Sequence, residues 1–403
     1  MRHIAIVGAS LAGYRAAQTL RREGFDRTIT LIGDERRRPY DRPPLSKKVL
    51  AGEAEPESIV LERSGDDLGI EWRLGERAVS FDASGLALSL ERGGELEADG
   101  VILACGARPR PLPGTDGIPG VHLLRTLDDS LALREALTTG VGPRRLVVVG
   151  AGFIGAEVAA TARGLGCEVT VVEALDRPLA RVLPPVLGQV CADVHTDQGV
   201  DLRLGAGVDG FDTDDGSISA VRLSDGSSVE ADLVAVGIGV VPNTEWLDGS
   251  GLTIDNGVVC DETTLAAPGV VAAGDVARWP NRRFGESMRV EHWDNAVSMG
   301  QHAARRLLAG DGGVDLVYEP VPYFWSDQYD RKIQLVGRAG PDDQVQVIDG
   351  SIADRRFVAL IGRDGQLVGT FGMNRPPAVQ RWRTQLEEGM SWDDALALAS
   401  EGS

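Results

Sequence analysis

Two stretches of this sequence have the residue types and spacing to cradle the phosphates of a dinucleotide. One is Gly8-Ala-Ser-Leu-Ala-Gly13, followed by Asp34-Glu35; the other is Gly150-Ala-Gly-Phe-Ile-Gly155, followed by Glu173. In such a turn the first glycine lets a strand bend sharply into a helix. The second lets backbone approach a pyrophosphate, and the third lets helix and strand pack closely. The helix start then offers unpaired N–H groups and a positive dipole end to the phosphates. The downstream acid accepts from a ribose hydroxyl. The second stretch carries all three glycines. The first has Ser10 at the second position, whose hydroxymethyl must tuck aside or touch phosphate. A further candidate is Lys47-Lys48. Only three of the 41 basic residues are lysine, the third being Lys332. Codon usage in a GC-rich genome accounts for that scarcity, yet two adjacent lysines in one loop stand out.

Cysteine chemistry is poorly supported. The four cysteines, 105, 167, 191 and 260, are never closer than 24 residues, with no C-x-x-C, no C-x4-C and no zinc spacing. A dithiol relay and a structural metal are not expected. Free thiols suit a reducing cytosol, so a cytoplasmic location is expected.

The elements that would position these residues repeat. His3 to Val7 reads as a strand, a helix runs to about Arg22, and Thr28 to Ile32 is a second strand before the acids. Arg145 to Val149, a helix to about Gly164, and Glu168 to Val172 repeat the unit. Each is later closed by a strand ending in small residues, Val101 to Gly106 and Asp232 to Gly239. Pro109 to Gly120, rich in proline and glycine, reads as a linker. Gly269 to Val276 returns as another apolar strand ending in an acid, so the first domain is expected to be discontinuous. The last 125 residues hold 12 of the 20 aromatics. A separate C-terminal domain is expected from about 321, β-rich to about 371 and ending in short helices, the last opened by a capping box at Ser391 to Asp394. The fold class expected is α/β: two Rossmann-like nucleotide-binding domains plus a C-terminal α+β domain. The boundaries are 1–110 with 245–320, then 111–244, then 321–403.

Composition bounds the rest. The chain has 403 residues, 43% hydrophobic and 25% charged, which are globular values and enough for two or three domains. A net charge of −19 argues against a nucleic-acid or anionic-lipid surface. The start reads straight into a strand, and no run of 18 apolar residues suggests a membrane span.

The layout resembles the flavin-dependent NAD(P)H:ferredoxin reductases that serve cytochrome P450s and aromatic-ring dioxygenases, within the glutathione-reductase-like flavoproteins. The motifs that carry the resemblance are Pro39-Tyr-Asp-Arg-Pro-Pro-Leu-Ser-Lys47, Leu123-Leu-Arg-Thr-Leu-Asp128, Ala273-Gly-Asp-Val-Ala-Arg278, Glu291-His-Trp-Asp-Asn-Ala296 and Pro322-Tyr-Phe-Trp-Ser-Asp-Gln-Tyr329. The last two separate this group from the disulfide reductases.

The resemblance implies FAD on the first turn, at Gly8, Ser10, Leu11, Ala12 and Gly13, with Asp34 or Glu35 at the ribose. It adds Arg42, Lys47, Val79 at the adenine, the Ala104-Cys105-Gly106 turn, Arg125, Asp275 at the ribityl chain and Trp293. Cys105 stands where the family usually has threonine. The nicotinamide nucleotide is implied at Gly150, Gly152, Phe153, Ile154, Gly155, Glu157, Glu173, Arg181, Gly237, Ile238 and Gly239. Glu173 favours NADH, because a carboxylate repels a 2′-phosphate, while Arg177 and Arg181 leave NADPH open. Lys47 and Glu157 are implied as the catalytic pair, a cation near the flavin and its counter-charge. No metal is implied. The aromatic block Tyr323 to Trp325 is implied near the flavin and nucleotide.

The expected activity is hydride transfer from NADH to FAD, then single-electron transfer to a [2Fe-2S] or related ferredoxin serving a P450 or a Rieske-type oxygenase. Rubredoxin reductase and NADH oxidase are the alternatives, and a monomer or weak dimer is expected. Charge placement suits an acidic iron–sulfur partner. Residues 1–50 carry a net +6, including Arg36, Arg37 and Arg38, and the other 353 carry −25. A local basic site on a repelling molecule would steer docking.

Overall fold

A computed structural model describes residues 1–62, 67–115, 117–140 and 142–401. Asp116 of the expected linker and residues 402–403 of the expected C-terminal domain lie outside the described residues. The chain divides into two compact units. The first comprises Met1–Asp41, Ile59–Arg108 and Val241–Pro322; the second comprises Arg42–Ser58, Pro109–Val240 and Tyr323–Ser403.

In the first unit, the strand His3–Val7 is buried almost throughout, the pattern of a strand covered on both faces. It pairs in parallel with Thr28–Gly33 and with Gly100–Leu103. Ile70–Leu74 and Val270–Ala272 extend the sheet on either side, also in parallel, and Leu265–Ala267 closes one edge as an antiparallel hairpin. The helix Leu11–Arg22 packs beside the helix Trp293–Ala309. Gly300 permits their approach, since a Cβ there would lie 2.4 Å from the Ala12 carbonyl oxygen.

The second unit holds a five-stranded parallel sheet in the order Asp201–Leu204, Glu168–Glu173, Arg145–Val149, Leu233–Val236, Val121–Leu123. It also holds a five-stranded antiparallel sheet: Tyr323–Gln328, Arg331–Gly337, Gln366–Met373, Arg356–Arg363, Gln344–Ser351. One face of that sheet buries Ile333, Leu335, Phe357 and Phe371 against Leu187, Val190 and Cys191 of the helix Pro185–Asp197. The helix Pro376–Glu387 packs on its central strands. The terminal helix starts at Trp392, with Ser391 Oγ accepting from the Asp394 N–H at 3.2 Å.

The segment 42–58 groups with the second unit, whereas the sequence reading places it with residues 1–110. Its anchors explain the grouping. Leu50 is fully buried among Leu133, Leu137, Leu146 and Val158. Ser130 Oγ donates to the Leu45 carbonyl at 2.6 Å, and Thr161 Oγ1 donates to the Ser46 carbonyl at 2.7 Å. Among the described residues no helix is long and apolar enough to cross a membrane.

Candidate functional site

In the first unit the strand His3–Val7 delivers the chain into a turn that the polypeptide itself demands. Gly8 has φ +122°, and a Cβ there would lie 2.0 Å from the Ala104 carbonyl oxygen. Gly13 faces the Gly8 carbonyl, where a Cβ would lie 2.0 Å away. Ser10 is different. It caps the helix Leu11–Arg22 with φ −117°, extended backbone open to any residue. Its counterpart Gly152 caps the helix Phe153–Gly164 with φ −75°, and the nearest atom to a Cβ there is 3.8 Å away. The fold therefore fixes the first and third glycines and leaves the second to a ligand. Gly150 and Gly155 repeat the fixed pair, with φ +101° and a Cβ 2.4 Å from the Gly237 carbonyl oxygen at Gly150, and a Cβ 2.1 Å from the Gly150 oxygen at Gly155. Neither helix has a side-chain cap or an acidic residue in its first turn. Both starts leave backbone donors directed at the turn, which fits a phosphate group.

The acids at the second strand differ between units. Val7 pairs with Ile32, and Val149 pairs with Val172. Glu173 is therefore the counterpart of Gly33. A Cβ at Gly33 would lie 2.6 Å from Ala9 Cβ, so no side chain fits there, and the acid arrives one residue later as Asp34. Asp34 is 63% exposed and lies 3.7 Å from Arg77. Glu35 accepts from the Tyr40 hydroxyl. In the second unit Glu173 accepts from the Ala151 N–H at 2.8 Å and from the Leu175 N–H at 3.0 Å. Its carboxylate is thus aimed at the turn by the backbone.

The other residues singled out are spread over both units. In the first, Val79 is exposed at a register shift in its strand. The turn Ala104-Cys105-Gly106 is held by Asn243, whose Nδ2 donates to the Cys105 carbonyl at 2.8 Å. Burial pushes the Cys105 thiol up to about 12, so it is a neutral thiol and not a reactive thiolate. Asp275 sits in the turn Gly274–Val276, whose carbonyl at Asp275 accepts from Arg289 at 3.0 Å. Trp293 opens its helix and donates from Nε1 to Asp41 at 2.8 Å. In the second unit, Arg42 donates to the Arg125 carbonyl at 2.6 Å. Ile154 is exposed at the turn, and Gly237, Ile238 and Gly239 follow the strand Leu233–Val236. Arg181 is exposed, while Arg177 pairs with its neighbour Asp176 at 3.1 Å. The aromatic block packs within its unit: the Phe324 ring lies 3.7 Å from that of Phe153, and Tyr323 stacks on Trp325.

Lys47 and Glu157 do meet. Lys47 Nζ lies 2.6 Å from Glu157 Oε2, with side chains 16% and 2% exposed. Lys47 also donates to the Pro43 carbonyl at 3.1 Å. Glu157 is held from two further sides, by Ser46 Oγ at 2.5 Å and Ser326 Oγ at 2.7 Å. Such donors offset the hydration that a buried carboxylate gives up. Ser46 and Ser326 are missing from the sequence reading, although both lie inside motifs it singles out. Among the described residues no group of three or more His, Cys, Asp or Glu side chains is placed to hold a metal ion.

Residues 2–300 match the family described as pyridine nucleotide-disulphide oxidoreductase, and residues 323–401 match the family described as reductase C-terminal. Rhodocoxin reductase of Rhodococcus erythropolis is 42% identical over 93% of this chain and 86% of its own length. The ferredoxin–NAD(+) reductase component of the p-cumate 2,3-dioxygenase system of Pseudomonas putida is 37% identical over 95% of this chain and 93% of its own. The crystal structure of the covalent putidaredoxin reductase–putidaredoxin complex matches with a TM-score of 0.89 at 34% identity, covering 96% of this chain and 93% of that one.

Proposed function

Because the chain belongs to the pyridine nucleotide-disulphide oxidoreductase family, we propose that it is a flavin-dependent NADH:ferredoxin reductase. It takes hydride from NADH onto FAD and passes single electrons to an iron–sulfur ferredoxin that serves a cytochrome P450 or a Rieske-type oxygenase. The observation that carries this reading is the pair of uncapped helix starts behind glycine turns, one per unit, each followed by an acid. The names of the relatives support the acceptor, since they are reductases of a rhodocoxin, a putidaredoxin and a dioxygenase ferredoxin. The four free cysteines, none paired, fit a route without a dithiol relay. When bound, FAD supplies the change from a two-electron donor to a one-electron acceptor.

The chain's own residues then have distinct tasks. In a first domain of residues 1–110 and 245–320, the N–H groups behind Gly8 and Ser10 hold the FAD pyrophosphate, and Asp34 takes the ribose. Arg42, Ala104 to Gly106, Asp275 and Trp293 line the rest, and Arg125 contacts FAD as well. In a second domain of residues 111–244, Gly150 to Gly155 hold the NADH pyrophosphate and Glu173 the adenosine ribose. A 2′-phosphate would meet the Glu173 carboxylate, so NADH is preferred over NADPH. Residues 321–403 form the C-terminal domain. Lys47 offers positive charge to the reduced flavin, and Glu157 fixes its position and balances its charge in a buried setting. The basic segment with Arg36, Arg37 and Arg38 receives an acidic ferredoxin, and the protein works in the cytoplasm.

The test is cytochrome c reduction by purified yellow protein and NADH, with and without added ferredoxin. Turnover that requires ferredoxin supports the proposal. Turnover that requires rubredoxin instead, or rapid oxygen consumption with no carrier, overturns it in favour of a rubredoxin reductase or an NADH oxidase.

A further inference from the structure

Glu157 receives donors on both carboxylate oxygens, and the two sides have different origins. Oε2 takes Lys47 Nζ at 2.6 Å and Ser46 Oγ at 2.5 Å, from one short loop. Oε1 takes Ser326 Oγ at 2.7 Å, from the first strand of the antiparallel sheet. A carboxylate only accepts, so Ser326 must spend its single proton on Glu157. Its oxygen is then an acceptor, and Gln328 Nε2 fills it at 3.1 Å. Ser326 and Gln328 are two apart in a strand, which places both on one face. Both are buried, at 0% and 1% exposure. The direction of the chain is therefore fixed: Gln328 to Ser326 to Glu157, met from the other side by Lys47.

Gln328 shows what this arrangement costs. Its Oε1 is buried and has no hydrogen-bond partner. Turning the amide over would place that oxygen against Ser326, whose proton is already committed to Glu157. The orphaned carbonyl follows from keeping the N–H on Ser326. A buried acceptor without a donor is rare enough to need such a reason.

We propose that Ser326, backed by Gln328, is a positioning residue for the Lys47–Glu157 pair, by which the antiparallel sheet sets the orientation of the Glu157 carboxylate and hence the place of the Lys47 ammonium during hydride transfer. The carboxylate torsion of glutamate is broad, so an oxygen without a donor is free to swing. Anchoring Oε1 leaves Oε2 directed at Lys47. The role in hydride transfer rests on the function proposed above; the mechanical link between Ser326 and Lys47 does not.

The experiment compares Ser326→Ala, Ser326→Thr, Gln328→Met, Glu157→Gln and the Ser326→Ala/Glu157→Gln double variant, as full-length flavoprotein. Two readings are taken. The first is the limiting rate of flavin reduction by NADH in anaerobic stopped flow, with the apparent NADH dissociation constant. The second is the ¹³Cε NMR signal of each lysine, which a chain with Lys47, Lys48 and Lys332 makes simple, each assigned by its Lys→Arg variant.

Ser326→Ala is expected to slow reduction about tenfold while the NADH dissociation constant stays within about twofold. Ser326→Thr keeps the hydroxyl and recovers the rate. Gln328→Met slows it about threefold and stands in if Ser326→Ala loses flavin. Ser326→Ala adds nothing to Glu157→Gln, and the Lys47 signal moves in both single variants while Lys48 and Lys332 stay. An unmoved Lys47 signal, or losses that multiply in full in the double variant, overturns the proposal. A wild-type flavin that NADH does not reduce refutes the function proposed above, and the Lys47 signal still decides the link.

Discussion

Replacing Lys47 with methionine removes the ammonium that lies 2.6 Å from Glu157 Oε2 and leaves a carboxylate that is 2% exposed. At that distance and an effective dielectric of about 20 the gross attraction is about 6 kcal/mol, most of which offsets desolvation of the two ions. Breaking a buried pair by removing one partner costs about 3–5 kcal/mol. Ser46 and Ser326 still donate to Glu157, so the lower end applies, about 3 kcal/mol. Replacing Glu157 with glutamine as well removes the stranded charge. The Lys47→Met/Glu157→Gln double variant should therefore regain about half of the loss. Urea unfolding of the flavin-loaded protein, followed by tryptophan fluorescence, measures both. The same proteins, mixed with NADH without oxygen, should both reduce flavin at least tenfold more slowly than wild type. Stability then recovers in the double variant while the rate does not. A single variant as stable as the double would refute the buried-charge argument, and a rate that recovers with stability would refute the role of the lysine.

Three further outcomes follow from other parts of the molecule. Glu173→Arg should raise the specificity constant for NADPH and lower that for NADH, because it exchanges a repelling carboxylate for a phosphate-binding cation; steady-state constants that do not change for either nucleotide contradict the ribose assignment. Burial pulls His195 from 6.5 down to about 4, where its Nδ1 sits 2.9 Å from the Tyr329 hydroxyl. Between those pH values the unfolded chain binds a proton that the folded one refuses, so stability falls as pH drops through that window, by up to about 3 kcal/mol. His195→Gln should flatten this profile, and identical unfolding profiles for the two proteins count against it. Ferredoxin reduction should slow as salt rises, with a shallower slope when Arg36, Arg37 and Arg38 are all glutamine; a salt-independent rate argues against a basic docking site.

The two glycine turns were legible because the polypeptide itself enforces them. Gly8 and Gly150 need positive φ and a close carbonyl, and Gly13 and Gly155 need the absence of a Cβ. Ser10 departs from the glycine pattern, and its extended backbone shows that the fold itself tolerates a side chain there, which leaves only the approach of a phosphate to favour glycine. The offset of the first unit's acids by one residue is not legible in the sequence, because it depends on Ala9 filling the space beside Gly33, which no motif encodes. The grouping of residues 42–58 with the second unit also escaped the sequence, since it depends on Ser130 and Thr161 reaching two carbonyls. The Lys47–Glu157 pair came from resemblance, while its supports did not. Ser46 and Ser326 are 111 and 169 residues from Glu157, and serine in a strand or loop has many partners available to it.

The most direct test of electron transfer from NADH through flavin to ferredoxin is a stoichiometry. Yellow protein, a limiting amount of NADH and excess oxidised ferredoxin are mixed without oxygen, and reduced ferredoxin is counted by its absorbance. A hydride carries two electrons and a ferredoxin accepts one, so about two ferredoxins should be reduced per NADH consumed, with no thiol titrating in the process. Flavin that stays oxidised in the presence of NADH, or flavin that is reduced while ferredoxin is not, would contradict it.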